Sequence, residues 1–271
     1  MYKDLSPTEQ VIADYIIENM DKIGHQSISE LANALEIADS TIFQFTKKLG
    51  FSGFKDFKIA MLIQESNFIN GSIPEAIKED DTELSIAQKV FDSNISTLTD
   101  TRELLVEKDL QQAAAIINTT NRLYLFGLGA SEVVAADGYQ KFLRSSINAF
   151  HSTDYHMQLM EASRLSKKDC AIIISHSGRT KETIAIAQRV KEAEAKIIVI
   201  TSHANSPLAK LGDVVFLSIS SETEYRSEAL ASRIAQLSII DSLYVMFRFY
   251  NQDSSDDSLS KVRRVISDLK E

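Results

Sequence analysis

The sequence lacks the features that mark secreted, disulfide-bonded or membrane proteins. Cys170 is the only cysteine among 271 residues, which excludes an internal disulfide and argues against a thiolate metal site. No apolar run approaches the roughly 18 residues of a membrane helix. The polar, acidic first ten residues do not resemble a secretion signal. We therefore predict a cytoplasmic protein with no membrane partner, no metal site and no cofactor.

Positive charge is also scarce. The chain carries 29 Lys and Arg against 38 Asp and Glu, a formal net charge of −9. This balance argues against indiscriminate binding of nucleic acid over the whole surface, although a local basic patch remains open.

The most informative stretch is DCAIIISHSGRTKE, which begins at residue 169. Its apolar run ends in Ser175, Ser177 and Thr180 around Gly178, and apolar residues at helical spacing follow. This pattern predicts a buried strand, a loop and then a helix. Such a loop can bind a phosphate, because its N–H groups and the positive end of the helix dipole point at the bound group. With Arg179 the only nearby cation and no P-loop Lys, a small phosphorylated ligand is favoured over a nucleotide. The alternative is that the hydroxyls only cap the helix.

A second loop has the same organisation. The predicted strand Leu123–Phe126 is followed by Gly127, Gly129 and Ser131, and a helix starts at about Glu132. In an open parallel sheet, ligands bind beyond the carboxyl ends of the strands, where neighbouring loops converge. The two loops are therefore predicted to close on one ligand.

These two motifs, Gly127-x-Gly129-x-Ser131 and Ser175-His176-Ser177-Gly178-x-Thr180, resemble the sugar isomerase (SIS) domain over roughly residues 109–250. The resemblance implies a phosphosugar ligand whose phosphate is bound by the serines and the threonine. The predicted ligand-binding residues are Gly127, Gly129, Ser131, Ser175, His176, Ser177, Gly178, Thr180 and Glu228.

The region around these loops alternates strands and helices. Further strands are predicted at residues 147–150, 196–200 and 214–217, which indicates a doubly wound, mostly parallel five-stranded sheet with helices on both faces. The apolar helix from Ser227 to Tyr250 should pack on this sheet or against a second subunit. Residues 251–257 are predicted to be loop-like, with a short helix after them.

The first 50 residues read as a separate all-α domain, so the fold class is α/β with an added helical domain. Ser6, Pro7 and Glu9 predict a capped helix that extends to Met20. Two short helices with apolar faces follow, joined by a turn at residues 36–38. This pair indicates a helix-turn-helix.

The outward face of the second of these helices carries Ser40, Thr41, Gln44, Lys47 and Lys48. In a helix-turn-helix these side chains would contact base edges and phosphates of double-stranded DNA. Residues 1–77 have six lysines and eleven acidic residues, yet residues 40–60 have four lysines against one aspartate. DNA binding is not the only explanation of these features. The lysines could instead complement the dipole of the helix, and the helix pair could simply form an ordinary core.

The run TIFQFTKKLGFSGFKDFK, residues 41–58, resembles the N-terminal domain of the RpiR family of bacterial regulators, which place a helix-turn-helix before a SIS domain. The resemblance implies operator DNA, a phosphosugar effector and self-association as partners. The chain departs from the family pattern at Ala38, usually Ser, and at Gln44, usually Arg.

The predicted domain boundaries are 1–77 for the helix-turn-helix, 78–108 for a linker and connecting helix, 109–250 for the SIS domain and 251–271 for the tail. The connecting helix has an apolar stripe of Leu84, Ala87, Val90, Phe91, Ile95 and Leu98. Either a dimer contact or coverage of the sheet edge would explain this stripe.

The alternative function is aldose–ketose isomerisation, which needs a general base and a proton shuttle. Glu228, His176 and His203 are the candidates, but a first-turn carboxylate and loop histidines also have ordinary roles. An isomerase has no use for a helix-turn-helix. We therefore predict a transcriptional regulator of carbohydrate metabolism without catalytic residues.

Overall fold

A computed structural model describes residues 5–19, 23, 26–51, 53–54, 57–58, 60–61, 77–78, 80–218 and 230–267. The chain divides into two compact units, Met1–Ser93 and Asn94–Glu271. Within the described residues, no helix combines the length and apolarity needed to cross a membrane.

The described residues of the first unit include the short helices α1 (Pro7–Glu18), α2 (Ile28–Ala34) and α3 (Asp39–Lys48). Helix α1 begins with the predicted capping box, in which Ser6 and Glu9 satisfy each other's backbone N–H groups. Ser27 and Glu30 form the same arrangement at α2. Ile12, Leu31, Ile42 and Phe45 are among the side chains that form the core of this unit. The helix pair predicted from apolar spacing is therefore present.

The second unit is a parallel α/β domain. Its helices and strands are α4 (Glu83–Glu103, which starts in the first unit), α5 (Glu107–Thr119), β1 (Arg122–Gly127), α6 (Ala130–Phe142), β2 (Asn148–His151), α7 (Tyr155–Ser163), β3 (Asp169–Ile174), α8 (Lys181–Glu192), β4 (Lys196–Thr201), β5 (Val214–Leu217), α9 (Leu230–Tyr250) and α10 (Gln252–Ser267). The strand order is β2-β1-β3-β4-β5, and every pair is parallel. The predicted five-stranded, doubly wound sheet is confirmed.

Each face of the sheet is covered by helices. One core contains alternate strand residues such as Leu125, Ile172 and Ile200 together with side chains of α5, α6 and α9. The other contains Phe126 and Ile173 with side chains of α7 and α8. Because side chains alternate across a strand, one apolar run supplies both cores.

Cys170 is part of the core on one face of the sheet. Burial raises the pKa of the Cys170 thiol, as expected for a core residue.

Helix α9 packs on the sheet through Ile240 and Leu243, which is one of the two predicted alternatives. The prediction of a loop at residues 251–257 is wrong, because α10 already starts at Gln252. Two side-chain contacts support the helix here: Arg248 pairs with Asp256 at 2.6 Å, and the Ser254 hydroxyl donates to that of Ser146 at 3.1 Å.

The stripe on α4 includes three large apolar side chains that are exposed. Leu84, Phe91 and Ile95 are 68%, 69% and 58% exposed, whereas Ser93 and Thr97 of the same helix are buried. The helix therefore presents its apolar residues to solvent and buries hydroxyls.

A buried ion pair fixes the amino end of the central strands. Asp169, 1% exposed, accepts two hydrogen bonds from the Arg122 guanidinium at 2.6 and 3.0 Å and two from Ser166 at 2.8 Å. Burial alone would raise the pKa of Asp169, but these hydrogen bonds outweigh it and hold the pKa below its usual value.

We expect Asp169→Ala to lower the free energy of unfolding by about 3 kcal/mol, at the lower end for a broken buried pair because Arg122 is partly exposed. Urea denaturation at pH 7 measures this loss. The lowered pKa of Asp169 stabilises the fold above the unfolded-state pKa, about 3.9, and this contribution is lost as the pH falls through the folded-state value. The difference in free energy of unfolding between the wild type and the variant should therefore become smaller below about pH 4.

Glu192→Ala is the matched control, because Glu192 pairs with Arg189 at 2.6 Å and both side chains are more than half exposed. Its expected cost is below about 0.5 kcal/mol. Equal losses in the two variants would contradict the assigned role of the buried pair.

Candidate ligand pocket and nucleic-acid interface

The two predicted loops lie side by side at the carboxyl ends of β1 and β3 and border one cavity of about 190 Å³. The described residues that line it are Leu128, Ala130, Ser131, Ser175, His176, Ser177, Thr180, Thr183, Arg233 and Gln236. Helices α6 and α8 both begin at this cavity. The positive ends of two helix dipoles therefore face it, which favours an anion.

Two serines of the second loop each accept a hydrogen bond from the backbone of that loop. The N–H of Gly178 donates to Oγ of Ser175, and the N–H of Arg179 donates to Oγ of Ser177, both at 3.2 Å. A hydroxyl that already accepts from the backbone has its own proton to offer elsewhere. Thr180 is the N-cap of α8 and makes no capping hydrogen bond, so its hydroxyl is not used to close the helix.

Glycine is required at two places in these loops. A Cβ on Gly127 would lie 2.5 Å from the carbonyl oxygen of Ser131. Gly178 has a φ of +60°, and its Cβ would lie 2.6 Å from that of Ser206. Larger residues would push the loops away from the cavity, because these contacts involve backbone or tightly packed atoms. The glycines thus shape the cavity without lining it.

A chain of hydrogen bonds joins the second loop to α9. Nδ1 of His176 and the hydroxyl of Ser202 share a hydrogen bond of 2.8 Å, and Ser202 is 3.1 Å from the hydroxyl of Ser218. Nε2 of Gln236 donates to Ser218 at 3.5 Å, a weak contact. His176 and Gln236, which both line the cavity, are therefore connected through the same pair of serines.

Among the described lining residues, the arginine is Arg233 rather than Arg179. Arg179 is exposed and lies outside the lining, whereas Arg233 is partly buried in it. Nε of Arg233 is buried and has no hydrogen-bond partner among the described residues. No carboxylate is among the described lining residues. A guanidinium in such a position favours an anionic ligand.

The structure brings together most of the predicted ligand residues. Ser131, Ser175, His176, Ser177 and Thr180 line the cavity, and Gly127, Gly129 and Gly178 shape its loops. Glu228 lies outside the described residues, and His203 is not in the lining but is 3.3 Å from the carbonyl oxygen of His176. Thr183, Arg233 and Gln236 were not predicted. Thr183 lies in the first turn after Thr180, a signal that sequence reasoning could have used.

The second candidate site is the outer face of α3. Ser40, Gln44 and Lys47 are exposed, Thr41 is half-buried, and the opposite face contributes Ile42 and Phe45 to the core. The N-cap is Ala38, which supplies no capping side chain. Asp39 does not replace it, since its carboxylate accepts a hydrogen bond of 2.6 Å from Ser29 of α2.

Lys48 has a structural partner. Its ammonium group is 2.7 Å from the Glu9 carboxylate and so connects the end of α3 to the start of α1. The hydrogen bond from Lys48, followed by that from the backbone of Ser6, lowers the pKa of Glu9 to about 2. The Lys48 side chain remains 46% exposed, so this contact leaves part of it open to solvent.

Comparison with known proteins places both sites in one family. A helix-turn-helix domain of the rpiR family matches residues 1–67, and a SIS domain matches residues 116–246. An uncharacterised HTH-type transcriptional regulator of Caldanaerobacter subterraneus is 36% identical over 249 residues, which cover 91% of this chain and 87% of the relative. The chain belongs to the RpiR family of helix-turn-helix transcriptional regulators.

Two other relatives of this RpiR-family protein are informative. The transcriptional regulator HexR of Escherichia coli is 30% identical and aligned over 97% of this chain and 91% of HexR. The structure of Vibrio vulnificus NanR complexed with ManNAc-6P matches with a TM-score of 0.65 and 25% identity, over 99% of this chain and 96% of NanR. Family, fold and the order of the two domains therefore agree with the sequence-based prediction.

Proposed function

We propose that this protein is a cytoplasmic DNA-binding regulator of carbohydrate-metabolism genes, controlled by a phosphosugar in its SIS domain. The observation that carries the proposal is the cavity between the loops of β1 and β3. Hydroxyls, two helix N-termini and Arg233 surround it in a chain that also has a helix-turn-helix. The complex of the relative NanR with a phosphosugar supports this assignment.

The phosphate lies, in this proposal, between Ser131 and the loop Ser175–Thr180. Ser175 and Ser177 donate their hydroxyl protons to it, because their oxygens already accept from the backbone. Gln236 and His176 contact the sugar, for which amide and imidazole groups are suitable partners. The resulting site holds a dianion with neutral donors and one cation.

Arg233→Gln should weaken binding of the phosphosugar about 10- to 100-fold, because it removes a charge-assisted hydrogen bond of about 1.5–3 kcal/mol. Isothermal titration calorimetry measures the change. Arg179→Gln is the matched control, since this exposed arginine lies in the loop but outside the lining. The affinity of this variant for the phosphosugar should stay within twofold of the wild type. If the Arg179 variant lost more phosphosugar affinity than the Arg233 variant, Arg179 rather than Arg233 would be the cation that binds the phosphate.

The DNA-binding surface is, in this proposal, the outer face of α3. Gln44 has the chemistry to bind adenine through both its amide oxygen and nitrogen, and Ser40 and Thr41 can reach bases or phosphates. Lys47 and the exposed part of Lys48 contact phosphates. Four lysines between residues 40 and 60 give this segment a positive charge within an acidic chain.

A homodimer would present two copies of α3 to two half-sites of an operator. Leu84, Phe91 and Ile95 on α4 are suited to the dimer contact, because exposed apolar residues at helical spacing mark an unburied interface. The proposed effector then acts by preferring one of two arrangements of the dimer.

The isomerase alternative shares the sugar-binding cavity but requires a general base within hydrogen-bond reach of the substrate. His176 lines the cavity, and its Nδ1 is held by Ser202. We propose that His176 contacts the sugar without proton transfer. The helix-turn-helix favours the regulator.

A panel of hexose, amino-sugar and pentose phosphates, titrated by calorimetry and followed by NMR, separates the two functions. We expect one phosphosugar to bind, its unphosphorylated sugar to fail to bind, and the ligand to be recovered unchanged. Conversion of a bound aldose phosphate to its ketose would overturn the regulator assignment. Absence of binding across the panel would overturn the choice of ligand.

A further inference from the structure

Phe43 is an aromatic side chain on the otherwise polar outer face of α3. It is 39% exposed, and it is absent from the core of its unit, to which its neighbours Ile42 and Phe45 contribute. Exposed Ser40, Gln44 and Lys47 lie on the same side of the helix. A single exposed apolar residue is ordinary on a protein surface, so it is the position of Phe43 among these polar residues, on the face proposed to contact DNA, that makes it informative.

Two neighbours position the Phe43 ring. The ammonium group of Lys47 is 5.8 Å from the ring centroid, within range of a cation–π interaction. On another side the ring lies against Gly53, where an added Cβ would be 3.0 Å from Cε2 of Phe43. The ring is therefore placed by packing before any partner binds.

The major groove offers one apolar group for such a ring, the 5-methyl of thymine; the other base edges present hydrogen-bond donors and acceptors. We propose that Phe43 reads a thymine methyl in each half-site of the operator, beside the base that Gln44 contacts. This inference rests on the proposed DNA binding by α3. It makes Phe43 a residue that determines sequence specificity.

The test uses the full-length protein and a duplex selected from a random-sequence library. Each thymine of the selected duplex is replaced in turn by deoxyuridine, which lacks only the methyl group. For the wild type we expect one position per half-site at which this replacement weakens binding about fourfold, the effect of one buried methyl group. Replacement of thymine at the other positions should change the binding affinity by less than twofold.

Phe43→Ala should bind the unmodified duplex at least fourfold more weakly in each half-site and should lose the discrimination between thymine and deoxyuridine at that position. Ile17→Ala is the control, since Ile17 is an exposed apolar residue on α1 of the same unit; it should keep wild-type affinity and discrimination. Circular dichroism melting confirms that both variants fold.

Two outcomes would overturn the inference while leaving DNA binding in place. In the first, no deoxyuridine weakens binding by the wild type. In the second, Phe43→Ala keeps the wild-type discrimination, which would assign the ring to a protein contact. Failure of the wild type to enrich any sequence would instead contradict the proposed function, so the two failures are distinguishable.

Discussion

The double variant Ser175→Ala, Ser177→Ala should bind the phosphosugar at least 100-fold more weakly than the wild type and lose the effector response. In the proposed site each hydroxyl supplies a hydrogen bond to a charged phosphate, worth about 1.5–3 kcal/mol. Their loss also removes the acceptors of the N–H groups of Gly178 and Arg179. Calorimetry measures the affinity, and DNA binding without sugar should remain at the wild-type level.

Its control is the double variant Ser163→Ala, Ser242→Ala. These hydroxyls also make hydrogen bonds within the SIS domain, to Met160 and Ser238, but lie outside the cavity lining. Affinity for the phosphosugar should stay within twofold. If the Ser175, Ser177 variant bound within tenfold of the wild type while remaining folded, the phosphate would have to lie elsewhere.

The double variant Gln44→Ala, Lys47→Ala should abolish specific operator binding at physiological salt while leaving the phosphosugar affinity unchanged. A bidentate contact from Gln44 to adenine is worth about 1–3 kcal/mol per half-site. Loss of Lys47 should remove the proposed phosphate contact in each half-site and lower the slope of log K against log salt by about one for each. Fluorescence anisotropy over a salt series separates these two effects.

The variant Lys108→Ala, Gln111→Ala provides a matched control. These residues are exposed on α5 and have the same chemistry and the same spacing of three. Their removal should leave operator affinity and salt dependence within twofold of the wild type. An equal loss in both variants would show that charge over the whole surface, rather than the face of α3, drives binding.

The strand-loop-helix units were predictable because their signals are local. A run such as Ile172–Ile174 is apolar on both faces, and the hydroxyls and glycine that follow it mark a loop at a fixed edge of the sheet. The capping box of Ser6 and Glu9 is equally local. These signals were sufficient to predict the sheet, the loops and the helix pair.

Arg233 and Gln236 were missed because their role depends on tertiary structure. They lie on α9, more than fifty residues beyond the loop of Ser175, and nothing in their spacing tells which turn of that helix reaches the cavity. Arg179 is close in sequence but is exposed and is not among the lining residues. Proximity along the chain was therefore a poor guide to the charge of the site.

The exposed stripe on α4 and the helix α10 illustrate a second limit. Apolar spacing predicted that Leu84, Phe91 and Ile95 share a face, and they do, but periodicity does not say what covers that face. The polar composition of residues 251–257 suggested a loop, whereas side-chain contacts to the rest of the unit hold these residues in a helix. Composition is a weak guide where tertiary contacts decide.

In the proposed function, a ligand in the cavity between the β1 and β3 loops controls DNA binding by α3. The most direct measurement is operator affinity of the full-length protein with and without a saturating phosphosugar that binds the SIS domain. We expect a change of about 5- to 150-fold, the range of a coupling free energy of about 1–3 kcal/mol, with the same factor when phosphosugar affinity is measured with and without DNA. Identical operator affinities in the two conditions would contradict the account.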